Sequence, residues 1–253
     1  TALEMYAGFA GSGASILGVG VNTTDFSRYG MGQRIKEARE QLGEAEKEAT
    51  PEQTETIDSL YVVATFVEKA GFTEIHLINA YAEFDAVYAE MYDGDWKGMN
   101  EDVDRMEAHV SNAKNGLDTL MSATSSEDVR VVDDLSADGY VGKIEQFRRD
   151  IGAFEAIVEQ LSALRSALQS FDLAASRYQR GDYWRVEFDP DAFASVRDAL
   201  QGTTDRASIG PQFEELICVV DALTGGAKAM RNATEARDDG KQNTAISYEN
   251  DAR

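Results

Sequence analysis

From Trp96 onward the apolar residues fall at Met99, Val103, Met106, Val110, Ala113, Leu117 and Leu120, in alternating steps of four and three. That spacing returns each side chain to one narrow face of an α-helix, so the pattern describes a heptad seam rather than a strand. A second stripe runs through Ile144, Phe147, Ile151, Phe154, Val158, Leu161, Leu164, Leu168 and Phe171. A third carries Phe213, Leu216, Val220, Leu223, Ala227 and Met230. Met31, Ile35, Ala38, Leu42 and Ala45 mark a shorter amphipathic helix, and Ile57 through Tyr92 reads as helical with a weak point at Gly71.

Start signals agree with these stripes. The chain has three prolines, Pro51, Pro190 and Pro211, each placed where a helix should begin. In Thr50-Pro51-Glu52-Gln53 a capping Thr precedes Pro at the first helical position, and Gln at the third completes a capping box. Asp189-Pro190 and Gly210-Pro211 repeat the arrangement. The interruptions, around Thr124 to Gly139, Gly181 to Pro190 and Gly202 to Pro211, are short, which makes consecutive helices antiparallel neighbours. The expected fold is all-α: long antiparallel helices forming an elongated bundle or an irregular array of helical hairpins. It is expected as a single all-helical domain over 1–253, with sub-bundles 1–123 and 137–253 as its natural subdivision.

Three glycines, Gly94, Gly181 and Gly240, bring similar residues into register upstream. Ten positions before them stand Phe84, Phe171 and Met230, seventeen before stand Leu77, Leu164 and Leu223, and twenty-seven before stand Val67, Phe154 and Phe213. The corners themselves read Tyr92-Asp93-Gly94-Asp95-Trp96 and Arg180-Gly181-Asp182-Tyr183. An apolar helix, a Gly-Asp-aromatic corner and a return helix resemble tetratricopeptide-like hairpins over about half of the chain, although the glycines are unevenly spaced. The resemblance implies a scaffold that binds a peptide or partner protein, with no catalytic residues to carry over. Arg180-Gly181-Asp182 also spells an adhesion tripeptide, but a cation in the last helical turn followed by a left-handed glycine is a helix terminus, and the corner is the better reading.

Charge changes the picture of the exterior. There are 46 Asp and Glu against 24 Lys and Arg, a formal charge of -22, and lysine is scarce at 8 residues. An acidic, lysine-poor surface resembles that of proteins from salt-loving microbes, where molar salt shortens the screening length to about 3 Å and suppresses self-repulsion. It argues against nucleic acid as a partner, since phosphate binding needs a basic face. The opening ALEMYAGFAGSGASILGVGVN is only weakly apolar, so a buried helix explains it better than a membrane span and no transmembrane segment is expected. A chain that starts at Thr1 is consistent with a trimmed leader or anchor. The balance leans to an extracytoplasmic or cell-surface location in a halophile, with the cytoplasm left open.

Little of the sequence carries reaction chemistry. The two histidines, His76 and His109, lack the i−3 glutamates of a di-iron bundle; His76 reads as a core or groove residue and His109 as a surface one. The single cysteine, Cys218, lies in the apolar run LICVV and reads as buried. Asp93 to Asp104 is a near miss to a calcium loop, but Lys97 stands where an oxygen ligand is needed and the heptad seam has already begun at Trp96. No phosphate-cradling loop or nucleophile elbow is present, and no metal or cofactor is expected. Asn22-Thr23-Thr24 and Asn232-Ala233-Thr234 match the glycosylation pattern.

What stands out is aromatic density at the helix corners. Phe84, Tyr88, Tyr92 and Trp96, and again Phe171, Tyr178, Tyr183 and Trp184, are mostly core by spacing and otherwise the walls of a groove for an apolar helix or small ligand. The expectation is a non-enzymatic protein-interaction or scaffold module adapted to high salt, with a protein or peptide partner. The alternative is a ligand-binding or sensory helical domain of a cell-surface protein, and dispersed carboxylates leave an enzyme as a third and unsupported reading.

Overall fold

Pro51, Pro190 and Pro211 each stand first in a helix. The computed structural model describes residues 28–132, 137–203 and 211–252. Among these residues there are seven α-helices and no strand. They are α1, Arg28–Glu46; α2, Pro51–Asp93; α3, Trp96–Ala123; α4, Ala137–Gln179; α5, Pro190–Gly202; α6, Pro211–Asp238; and α7, Gln242–Asp251. Short 3-10 turns occupy Asp128–Val131 and Tyr183–Arg185. The protein is all-α.

The start signals work through hydrogen bonds. At α2 the Thr50 amide donates to Gln53 Oε1 at 2.8 Å, and the Gln53 amide donates back to Thr50 Oγ1 at 3.4 Å, so two amides that the helix leaves orphaned are satisfied reciprocally. At α5 one Asp189 carboxylate oxygen accepts from the amides of Asp191 and Ala192. Two elements are instructive. Helix α2 passes through Gly71 unbroken, because Val67, Ala70 and Leu77 are buried around it and packing outweighs a propensity cost of about 1 kcal/mol. Helix α7 was not foreseen, since it carries no long apolar stripe and Ala245 is its buried residue.

By their contacts the described residues fall into two compact units, 28–84 with 104–155 and 85–103 with 156–252. Helices α2, α3 and α4 each contribute a stretch to both. In the first unit the cross-helix pairs run in opposite directions along the chain. Arg39 bonds Glu68 at 2.8 Å while Gly43 faces the Tyr61 hydroxyl, so α1 and α2 are antiparallel. Arg105 pairs Glu83 at 2.8 Å, whereas Gly116 lies so close to α2 that an added Cβ would stand 2.6 Å from Thr73 Oγ1. Lys114 pairs Glu155 at 2.6 Å and Thr124 meets the Tyr140 hydroxyl at 3.1 Å, which sets α4 antiparallel to α3. The heptad seam that announces α3 is at most 5% exposed at every position, so the narrow apolar face predicted from spacing is the face the helix buries.

The second unit is built from the ends of α2 and α3, the second half of α4, and α5 to α7, with α6 packed against both α5 and α7. Its core includes Phe188, Phe193, Phe213, Leu216 and Val220, all buried. Among the described residues no helix is long and apolar enough to cross a membrane. The opening apolar stretch lies outside the described residues.

Three helices end the same way. Gly94, Gly181 and Gly240 have φ of 74°, 83° and 72°, the left-handed region that a side chain disfavours. At each corner the residue after the glycine donates to the carbonyl five residues back: Asp95 to Glu90, Asp182 to Arg177, and Lys241 to Ala236. The glycine amide in turn donates three back, to Met91, Tyr178 and Arg237. This pair of bonds is the Schellman arrangement, which satisfies carbonyls that the helix end would leave open. Arg180-Gly181-Asp182 is thus one of three equivalent helix termini, and α4 itself ends at Gln179.

The first unit also buries charge. Lys143 of α4 lies 2.9 Å from Glu74 Oε2 of α2, donates to Gln146 Oε1 at 3.0 Å, and stands over the Phe147 ring. Asp150 is buried as well. Burial, seconded by the charge of Asp150, pushes the Glu74 carboxyl above its ordinary value of 4.5, and Lys143 opposes the shift. The Lys143 ammonium, 2.9 Å from Glu74 Oε2, offsets part of the cost of burying that carboxyl.

Three outcomes follow for stability. Gly181→Val should destabilise by about 1–2 kcal/mol through the left-handed backbone alone, because nothing lies within 4 Å of an added Cβ. Arg180→Ala should stay within about 0.5 kcal/mol, and denaturant unfolding that reversed this order would count against the corner. Lys143→Met strands the buried Glu74 carboxyl and should cost about 3–5 kcal/mol, more than Glu74→Gln. Because the folded-state pKa of Glu74 is raised, its contribution to stability is greatest below 4.5 and declines as pH rises through the folded value. Unfolding free energies measured across that window should therefore shift in favour of Glu74→Gln as pH increases.

Candidate functional site

The aromatic residues singled out by sequence divide between floor and rim. Phe84 is buried in the first unit, at 1% exposure, and contributes packing. The other seven are in the second unit. Tyr88 is half-buried, and its hydroxyl is hydrogen-bonded to Glu215 of α6, an interaction that pushes the phenol up. Tyr92 is 79% exposed, one turn beyond it. Trp96 is half-buried over a crevice shared with Met99, Arg165, Leu168 and Asp172, a space of only about 60 Å³. On α2, Asp85 Oδ1 is buried without a hydrogen-bond partner in the structure, and burial raises its carboxyl above the ordinary value.

The second group is brought together at the corner after α4. Phe171 packs against Phe188 with ring centres 5.1 Å apart and against Phe193 at 6.1 Å in an edge arrangement. Tyr178 meets Tyr183 at 5.0 Å and Phe188 at 6.2 Å. Edge and tilted contacts of this kind set the negative ring face of one aromatic against the positive edge of the next. The Tyr178 hydroxyl donates to Glu249 of α7, and Arg237 of α6 donates to the same carboxylate oxygen through Nη2 at 2.7 Å. Burial and the bond to Glu249 push the Tyr178 phenol up to about 12, while Glu249 holds the Arg237 guanidinium more firmly protonated. Tyr178 is therefore a strut that ties three helices together, and not a titrating group. Trp184 is different: it is 70% exposed, with the Arg185 guanidinium stacked 4.1 Å from its ring.

Beside this cluster lies an open groove between α4 and α5, with a volume of about 390 Å³. Phe171, Phe193 and Val196 form its apolar depth, and Ala163, Ser166 and Ala192 its low walls. Asp189, the cap of α5, stands at its edge. Sequence spacing identified Phe171 but missed the groove, because alanines and serines on two separate helices carry no periodic signal of a cavity.

The remaining chemical candidates resolve into structure. His76, read as a core or groove residue, and His109, read as a surface one, meet Nδ1 to Nδ1 at 3.0 Å between α2 and α3, and both are half-buried. Their ring centres are 5.3 Å apart, a ring radius on either side of that contact, so the nitrogens point straight at one another. One Nδ1 carries the proton and the other accepts it through its lone pair. A chelated metal would instead need both lone pairs aimed at a common point off that line. Phe72 packs its ring edgewise on His76, 4.5 Å away. No signal in the sequence joins residues so far apart on different helices.

Asp93 to Asp104 folds as a capped helix start: Asp95 Oδ1 accepts from the amides of Lys97 and Gly98, and α3 begins at Trp96. Among the described residues no cluster of three metal-ligating side chains exists. Cys218, expected to be buried, is exposed; α6 turns Leu216, Ile217 and Val220 inward and leaves position 218 outside that stripe. Thr234 is buried inside α6 with its hydroxyl bonded to the Met230 carbonyl, so Asn232-Ala233-Thr234 is a helix interior rather than an exposed sequon. Asn22-Thr23-Thr24 lies outside the described residues. In comparisons with known proteins, no family model, no curated protein and no solved structure matches the chain.

Proposed function

We propose that this chain is a non-enzymatic helical interaction module adapted to high salt, its antiparallel helices arranged as a bundle or an irregular, tetratricopeptide-like array of hairpins. Its partner is a protein or peptide engaged by the second unit. The observation that carries this reading is the pairing of an apolar groove between α4 and α5 with an adjoining aromatic corner whose outermost ring, Trp184, is 70% exposed. Large aromatics of this kind act as anchors because they remove much apolar area from water for few frozen torsions. The acidic exterior supplies solubility and screens out acidic competitors.

A second reading, a ligand-binding or sensory helical domain, is favoured by the size of the same groove, which falls in the range of small-molecule sites and combines an apolar depth with Gln160, Ser166 and Ser170. Capture experiments in molar salt with the whole chain as bait separate the two. The interaction reading expects a discrete protein retained by wild type and reduced at least fivefold with Trp184→Ala. A ligand-saturable thermal shift with small molecules, together with capture indifferent to Trp184, would establish the second reading instead.

A further inference from the structure

We infer that the α4/α5 groove receives an amphipathic helix with a face of small or aliphatic residues and lysine or arginine along its flanks, an assignment that rests on the interaction reading above. The shape of the groove argues for a helix. Its depth is formed by Phe193 and Val196, which are almost fully buried, while the walls carry Ala163, Ser166, Ala192 and Ser195, whose side chains end at or just beyond Cβ. Helices approach one another closely where ridges are this low, and the ridge of a third helix fits the channel between two such walls. A volume of about 390 Å³ accommodates a few aliphatic side chains from one face of such a helix.

The charge around the groove selects the flanks of that helix. Asp189 stands on its edge. Glu159 is four residues before Ala163 on α4 and Asp191 four before Ser195 on α5, so each continues a groove-facing stripe, and both are exposed. The arginines nearest in sequence are engaged elsewhere. Arg165 lines the crevice under Trp96, and Arg197 pairs with Asp198 and Asp221, both at 2.8 Å. An acidic edge over an apolar channel is complementary to an apolar helix flanked by cations, and close ion pairs at its rim retain attraction at short range even where salt removes longer-range steering.

The test uses the full chain and three fluorescent synthetic helical peptides of equal length, followed by anisotropy. One has a Leu/Ala face with Lys flanks, one the same face with Glu flanks, and one the first composition scrambled so that no apolar face forms. The Lys-flanked peptide should bind at least tenfold more tightly than the other two. Its affinity should fall at least tenfold with Ser166→Trp, which fills the channel from an exposed position. It should fall severalfold with Glu159→Gln combined with Asp189→Asn, where asparagine preserves the cap of α5. Ser195→Trp, exposed on the opposite wall, should reproduce the Ser166→Trp effect, and thermal melts establish that each variant is folded. Equal binding of Lys- and Glu-flanked peptides, both blocked by Ser166→Trp, would overturn the cationic partner while leaving the interaction groove intact. Lys-flanked binding that ignores both tryptophan variants, or that the scrambled peptide matches, would be ion exchange on an acidic surface and would remove the groove assignment. No binding by any peptide overturns the proposal as well, and leaves the Trp184-dependent capture experiment to judge the interaction reading separately.

Discussion

Two opposed forces govern this chain: burial of heptad-spaced apolar faces, and repulsion within an exterior of net charge -22. Long helices with few breaks can be stable only if their apolar stripes find partners, because a helix of this kind gains little from propensity alone. In the first unit that requirement is met along α2, α3 and α4, where Gly116 lets α3 approach Thr73 and the seam from Met106 to Leu120 is closed to water. The ion pairs on the outside do not substitute for it. Arg34–Glu37, Lys36–Glu40 and Lys47–Glu44 are exposed pairs, and such pairs contribute little beyond locally offsetting like charge. Apolar packing is therefore the term that holds the helices together.

The corners convert these helices into neighbours. A left-handed glycine with its two returning hydrogen bonds ends α2, α4 and α6 in identical geometry, and each is followed within two residues by a new helix or a 3-10 turn. At Gly181 the corner has a further consequence, because the turn Tyr183–Arg185 presents Trp184 outward while Tyr183 folds back on Tyr178. Rigid packing on one side and an exposed ring on the other set Trp184 beside the α4/α5 groove. The lock formed by Tyr178, Arg237 and Glu249 fixes that corner to α6 and α7, so the exposed surface is carried on a supported scaffold.

Fold class was legible because helical information is local. Proline caps, the seam of α3 and the three glycine corners each act through residues within a few turns, and each reads directly from spacing. The elements that escaped are those whose cause is tertiary. Helix α7 has Ala245 as its buried anchor and no long apolar stripe to announce it. For the candidate site, aromatic residues were identifiable by type, but their division into floor and rim depended on which helix covers them. Phe84 is core, Tyr178 is a strut, and Trp184 is surface. The His76–His109 contact and the small-residue walls of the groove join positions on different helices that no periodicity links.

The proposed interaction surface requires a solvent in which the helices remain assembled, and the proposed adaptation to high salt rests on the balance between the apolar seams and the acidic shell. Far-UV circular dichroism of the intact chain, followed from molar salt into dilute buffer free of divalent ions, measures that balance directly. Loss of a large part of the helical signal as screening is withdrawn is the result expected. Full helicity and an unchanged melting temperature in dilute buffer would contradict it.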